Sequence, residues 1–182
     1  MDFIKGKFLI SNSALKEKSF AETVLFIIEH NEEGAFGLVV NRPESENYLD
    51  ELPSLKNERG ITKIYNGGPV RTDVIFVLFM GDENVRQEDG EKIIDGVYMG
   101  TSFQLLEKLI EEKAPFHIYH GYAGWAPGQL EKELESKTWV VMPAKKEIIF
   151  HEKPEIVWRE VLFEKGGIYS YFARNIKDPF LN

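Results

Sequence analysis

Thr23-Val24-Leu25-Phe26-Ile27-Ile28, Asn31-Glu32-Glu33-Gly34 and Ala35-Phe36-Gly37-Leu38-Val39-Val40 form the stretch that decides the fold. The first run is β-branched or apolar at every position, which suits a strand buried on both faces. The polar link ends in glycine, which accepts positive φ, so the two runs predict a hairpin. Working outward, Lys7-Phe8-Leu9-Ile10 predicts a further strand. Lys63-Ile64-Tyr65 and Val74-Ile75-Phe76-Val77-Leu78-Phe79-Met80 are strands around Gly67-Gly68-Pro69. Asp95-Gly96, between Ile93-Ile94 and Val97-Tyr98-Met99, reads as a tight hairpin turn. Leu49, Leu52 and Leu55 suggest a helical turn that Pro53 limits.

The second half alternates more regularly. Thr101 is placed to cap a helix, with Gln104 at the capping-box position and Phe103, Leu105, Leu106, Leu109 and Ile110 as its apolar stripe. Residues 116–121 read as a strand. Pro127 suits the first turn of a short helix whose inner face is Leu130 and Leu134. Trp139-Val140-Val141-Met142 is a strand ended by Pro143, and Ile148-Ile149-Phe150 is another short apolar run. A last helix starts at Pro154, buries Val157, Trp158, Val161 and Leu162, and stops at Gly166-Gly167. Residues from about 174 to 182 read as an irregular tail packed back by Phe180. No repeat or linker interrupts the 182 residues. The expectation is one domain, residues 1–182, of α+β class: a large mixed, hairpin-rich sheet packed by several helices.

Composition sets limits on function. With no cysteine in the chain, thiolate metal sites, cysteine nucleophiles and thiol switches are excluded. The 30 Asp and Glu against 22 Lys and Arg give a formal charge of -8, the wrong sign for broad phosphate-backbone binding. The longest apolar run, residues 74–80, falls well short of the roughly 20 residues of a membrane span. No signal-peptide h-region follows the first residues, so a cytoplasmic location and no membrane partner are expected.

Motifs for chemistry are sparse. His117 and His120, three apart on a strand, point to opposite faces and cannot chelate one ion together. His30 and His151 lie at no ligand spacing, so no metal is expected. No serine sits in a nucleophile elbow, and Glu131, Glu133 and Glu135 read as the solvated face of a short helix. The most informative segment is His120-Gly121-Tyr122-Ala123-Gly124-Trp125-Ala126-Pro127-Gly128-Gln129-Leu130-Glu131. Between a predicted strand and a predicted helix start, its backbone N–H groups are placed to bind an anion, or simply to make a tight connection under Trp125. It lacks the Lys and Ser/Thr of a P-loop and any GxGxxG pattern, and Glu131 would repel a phosphate. Asn41-Arg42-Pro43 and Gly67-Gly68-Pro69 end two other strands. Arg42 offers a planar fork to a carboxylate or phosphate, or a salt bridge to Glu44 or Glu46. If these stretches converge, they make a polar crevice with an aromatic wall.

The same three stretches resemble a known family. Glu29-His30-Asn31-Glu32-Glu33-Gly34-Ala35-Phe36-Gly37-Leu38-Val39-Val40-Asn41-Arg42-Pro43, Gly67-Gly68-Pro69-Val70 and Gly121-Tyr122-Ala123-Gly124-Trp125-Ala126-Pro127-Gly128-Gln129-Leu130-Glu131 match, in order, the hallmarks of the YqgE/AlgH family of bacterial proteins. The resemblance runs from Gly6 to about Gly167, with Ala126 standing where the family usually has a second glycine. It implies a single α+β domain with a large mixed sheet, and no reaction, cofactor or catalytic residue. The AlgH branch carries the label of a transcriptional regulator. Direct nucleic-acid binding does not follow, because no basic helix, helix-turn-helix or Arg-rich arm is visible.

The functional expectation is therefore a non-catalytic regulatory module without cofactor. It binds a small ligand or protein partner through Asn41, Arg42, Gly67, Gly68, Gly121, Tyr122, Gly124, Trp125 and Gln129. An enzyme using His120, Glu29 or Gln129 near the same stretch is the alternative, and a DNA-binding regulator a third. The oligomeric state is left open.

Overall fold

Nine strands join into one mixed sheet in a computed structural model that describes residues 2–12, 20–45, 63–82, 85 and 89–175. The strands are β1 Lys7–Ser11, β2 Val24–Asn31, β3 Gly34–Val39, β4 Ile64–Asn66, β5 Val70–Met80, β6 Glu91–Ile94, β7 Val97–Gly100, β8 Phe116–Trp125 and β9 Trp139–Pro143. The helices are α1 Phe103–Glu111, α2 Gln129–Glu135, α3 Lys146–Ile149, α4 Pro154–Lys165 and α5 Ile168–Asn175. Strand order is β6-β7-β5-β8-β3-β2-β1-β9, with β4 lying parallel to β8 off that path. This is the α+β fold expected from the sequence.

The β2–β3 hairpin forms as its residues dictate. Asn31 sits opposite Gly34, whose φ is 130°, and Glu32-Glu33 make the turn. The first five residues of β2 are buried, because helices cover both faces of this part of the sheet. On one face, Phe8, Phe26, Ile28 and Leu38 meet Val157, Trp158, Val161 and Leu162 of α4. On the other, Leu9, Leu25, Ile27 and Val39 meet Leu130 of α2 with Trp125 and Trp139. The Trp158 indole nitrogen donates to the Ser11 carbonyl at 2.9 Å and to Ser11 Oγ at 3.1 Å, fixing α4 on β1. At the far end of the sheet, α1 lays Leu105, Leu106 and Leu109 on Val77, Phe79 and Ile118.

Several local expectations change. The N-cap of α1 is Ser102, not Thr101: Ser102 Oγ accepts from the Leu105 amide at 3.1 Å. With the cap one residue later, Gln104 no longer stands at the capping-box position. Pro127 lies in the turn ahead of α2 rather than in its first turn. Ile148 and Ile149 belong to the short helix α3. Gly166 and Gly167, both at positive φ, end α4 as expected, but the chain resumes as α5, with Ala173 buried against the core. Leu49, Leu52, Pro53, Leu55 and Phe180 lie outside the described residues.

Tyr65 and His117 stack at 4.6 Å with an interplanar angle of 28°. The Tyr65 hydroxyl is buried with no hydrogen-bond partner among the described residues. Its pKa is pushed up to about 12 by burial, helped by the charge of Glu155. Burial, with Lys63 nearby, pushes His117 down to about 4. The unfolded chain takes up this proton below the free imidazole value of 6.5, while the folded chain resists until about pH 4. Stability attributable to His117 therefore falls as pH drops through that window and levels off below it. The variant His117→Phe keeps a stacking ring without a titration. Between about pH 7 and about pH 5 it is expected to lose roughly 2 kcal/mol less stability than the parent, read by urea denaturation.

Candidate functional site

The site is built by a kink in β8. The first half of β8 pairs with β4 and with residues 75–79 of β5. The second half pairs with β3, placing Ala123 opposite Gly37, Gly124 opposite Phe36 and Trp125 opposite Ala35. Gly121, at φ 66°, joins the halves. In β5 the register jumps from Val70 opposite Tyr122 to Ile75 opposite His120, so residues 71–74 bulge out beside the kink. Strand side chains alternate faces, yet Tyr119 and Tyr122, three apart, both pack on the α4 side of the sheet. The left-handed residue between them resets the alternation.

A backbone crossing locks the kink. The Gly67 amide donates to the His120 carbonyl at 2.9 Å, and the Gly67 carbonyl accepts from the Val39 amide at 2.9 Å. A Cβ on Gly67 would lie 2.4 Å from the Gly121 oxygen, and one on Gly68 would lie 2.3 Å from the Tyr122 carbonyl carbon. The Asn66 amide donates to the Arg42 carbonyl at 2.9 Å. The three sequence motifs thus meet through their backbones.

Their side chains serve separate ends. Asn41 is buried; its Oδ1 accepts from the Val24 amide and its Nδ2 donates to the Glu22 carbonyl, both at 2.8 Å. Arg42 Nη2 donates to the Ala21 carbonyl at 2.8 Å and to Thr23 Oγ1 at 2.6 Å. Both side chains are spent in tying residues 21–24 to the end of β3. His120 is buried, with Nε2 2.9 Å from Glu44 Oε1. Gln129 Oε1 accepts from the Ala126 amide at 3.2 Å, and its Nε2 donates to Glu133 Oε1 at 3.0 Å. Glu133 Oε2 accepts from the Trp125 indole at 3.0 Å and the Trp139 indole at 2.7 Å. Glu133 is therefore a shared acceptor rather than part of a solvated face. Glu131 is held too: His30 Nδ1 accepts from the Ile4 amide at 3.1 Å, which leaves the ring proton on Nε2, 3.1 Å from Glu131 Oε1. The Glu131 carboxyl is lowered first by its own backbone N–H and then by His30. The expected strand-to-helix loop is mostly strand, with backbone spent on β3 and β5, so it does not form an anion cradle over residues 121–125.

Tyr122, Gly124 and Trp125 line a concavity of about 610 Å³, together with Glu29, Asn31, Glu33, Phe36, Val70 and Phe76. Of these, Asn31, Glu33, Phe36, Val70 and Phe76 were not among the expected site residues, and Glu29 was expected only under the enzymatic alternative. Phe36, Phe76 and Tyr122 form a triangle with centroid separations of 6.1, 5.9 and 6.0 Å; Tyr122 stands edge-on to both phenylalanines. Register places Glu29, Phe36 and Gly124 in one row across β2, β3 and β8. A Cβ on Gly124 would come within 3.1 Å of the Tyr122 ring. Glycine there keeps the wall beside Phe36 open.

The fold and this hollow define a class: a single-sheet α+β protein with a side-chain-lined concavity formed by residues of β2, β3, β5 and β8. The AlgH-like family model matches residues 8–170. A UPF0301 protein of Cytophaga hutchinsonii is 34% identical over 98% of both chains. Another, of Idiomarina loihiensis, is 35% identical over 91% of this chain and 93% of its own. The chain belongs to the AlgH-like family. The solution structure of the AlgH protein from Pseudomonas aeruginosa matches with a TM-score of 0.73 and 32% identity, covering 97% of this chain and 96% of that one. A crystal structure of a Corynebacterium diphtheriae protein shares the fold at a TM-score of 0.77 and 23% identity, over 95% and 94% of the two chains.

Two substitutions test the framework. Gly68→Ala drives a Cβ into the Tyr122 backbone at a φ of 149° and is expected to cost about 3 kcal/mol in urea denaturation. Glu133→Ala strips two indoles of their acceptor and is expected to cost about 2 kcal/mol, followed by circular dichroism.

Proposed function

We propose that this protein is a non-catalytic, cytoplasmic regulatory module that seats a small ligand or a segment of a protein partner in the Phe36–Phe76–Tyr122 hollow. The observation that carries this reading is the row Glu29, Phe36, Gly124. Where Phe8, Phe26, Leu38 and Tyr119 on the α4 side of the sheet are sealed, this row leaves Phe36, with Phe76 and Tyr122 beside it, partly exposed next to a position without a side chain. Concave, mostly apolar sites with a few polar groups are the usual form of ligand pockets. Of the residues an enzymatic reading would use, His120 and Gln129 are engaged with Glu44 and Glu133, while Glu29 stands at the mouth of the hollow and accepts from the Asn31 amide. A DNA-contacting role finds no support in a rim carrying Glu29 and Glu33.

A fragment screen by amide NMR on labelled protein tests the proposal. Binding fragments are expected to shift Phe36, Tyr122 and Gly124 resonances, and Tyr122→Ala is expected to weaken them by about tenfold or more while keeping the spectrum folded. Fragments that gather elsewhere, or bind the Tyr122→Ala variant equally well, would sink it.

A further inference from the structure

The hollow joins two features of opposite solvation. Its floor is the aromatic triangle of Phe36, Phe76 and Tyr122, with ring separations near 6 Å. Its mouth carries two exposed carboxylates, Glu29 and Glu33, and no Lys or Arg is among its lining residues. Glu29 stands directly across from Phe36 in the β2–β3 pairing, which brings carboxylate and ring to neighbouring positions. The Asn31 side-chain amide donates to Glu29 Oε1 at 2.8 Å and steadies that carboxylate over the turn. Neither Glu29 nor Glu33 has a cationic partner among the described residues. The nearby Arg71 is taken by Asp73, through Nε at 2.9 Å and Nη2 at 3.0 Å.

Aromatic faces attract a desolvating cation, and a carboxylate at the rim neutralises it. Lysine and arginine add an apolar stem that lies along the rings while the charged head stays at the mouth. We infer that the hollow receives a lysine or arginine side chain carried on a basic segment of a partner protein, an occupant whose charge complements both this rim and the chain's net -8. A chain-borne cation is favoured over a free amine by the mouth itself. Glu29, Glu33 and Gly124 are all exposed, so a segment can run along the rim and lay one side chain across the rings with its head against the carboxylates. This inference rests on the hollow being the binding site proposed above.

The test titrates labelled protein with a blocked Gly-Lys-Leu-Lys-Gly peptide and with its norleucine counterpart, which keeps the stem and lacks the charge. The lysine peptide is expected to shift Phe36, Tyr122 and Gly124 resonances with an affinity at least about tenfold above that of the norleucine peptide. Raising salt from about 20 to about 300 mM is expected to narrow that gap. The double variant Glu29→Gln, Glu33→Gln, changed only at exposed positions, is expected to abolish most of the difference. Equal affinities for the two peptides at the hollow would overturn the cationic inference while leaving the hollow as a binding site. If neither peptide shifts the hollow, the inference falls; if the fragment screen also leaves it untouched, the binding-module reading falls with it. A free 1,5-diaminopentane that binds as tightly as the lysine peptide would overturn the assignment to a protein segment.

Discussion

The backbone crossing at Gly67, Gly68 and Gly121 is the constraint from which the functional end of this protein follows. Two chain segments lie so close there that no Cβ fits on either side. That contact lets β8 serve β4 and β5 with its first half and β3 with its second. It also sets the left-handed Gly121 that brings Tyr122 to the same face as Tyr119. Without the reset, Tyr122 would point toward the α2 layer, and Phe36 and Phe76 would have no third ring. Packing at one crossing of glycines thus decides the chemistry of a surface formed by residues from four strands.

Much of the fold is legible in the residues because burial leaves a local trace. β2 is apolar over Val24–Ile28 since α4 and α2 cover both its faces there, and α4 shows its Pro start, apolar stripe and glycine stop in one short window. What is hidden depends on distant partners. Tyr122-Ala123-Gly124 has the composition of a loop, and only pairing with β5 and β3 makes it a strand. Thr101 reads as the cap because Gln104 stands three residues on; the position of the Leu105 amide gives that role to Ser102. Glu133 looks solvated by helical spacing, because nothing local shows two indoles converging on it.

The site divides the same way. Tyr122, Gly124 and Trp125 stand out as an aromatic and glycine-rich stretch and do line the hollow. Asn41 and Arg42 have the chemistry of ligand contacts, but that chemistry is used on the Ala21 and Glu22 carbonyls. Phe36 and Phe76 carry no signal alone and Glu29 only that of a candidate catalytic carboxylate, since their meeting requires the register of four strands. Charge, by contrast, is consistent at two scales: the excess of acid over base in the whole chain reappears as the acidic mouth of the hollow.

The shared Glu133 acceptor has an optical consequence. The protein has three tryptophans. Trp125 and Trp139 lie 6.5 Å apart on one carboxylate, while Trp158 is hydrogen-bonded to Ser11 beneath α4. Intrinsic emission therefore comes from two independent stations, an indole pair watching the α2 layer and a single indole watching the α4 layer. Replacing Trp158 would leave the Trp125–Trp139 pair as a native spectroscopic reporter, one of whose indoles lines the hollow.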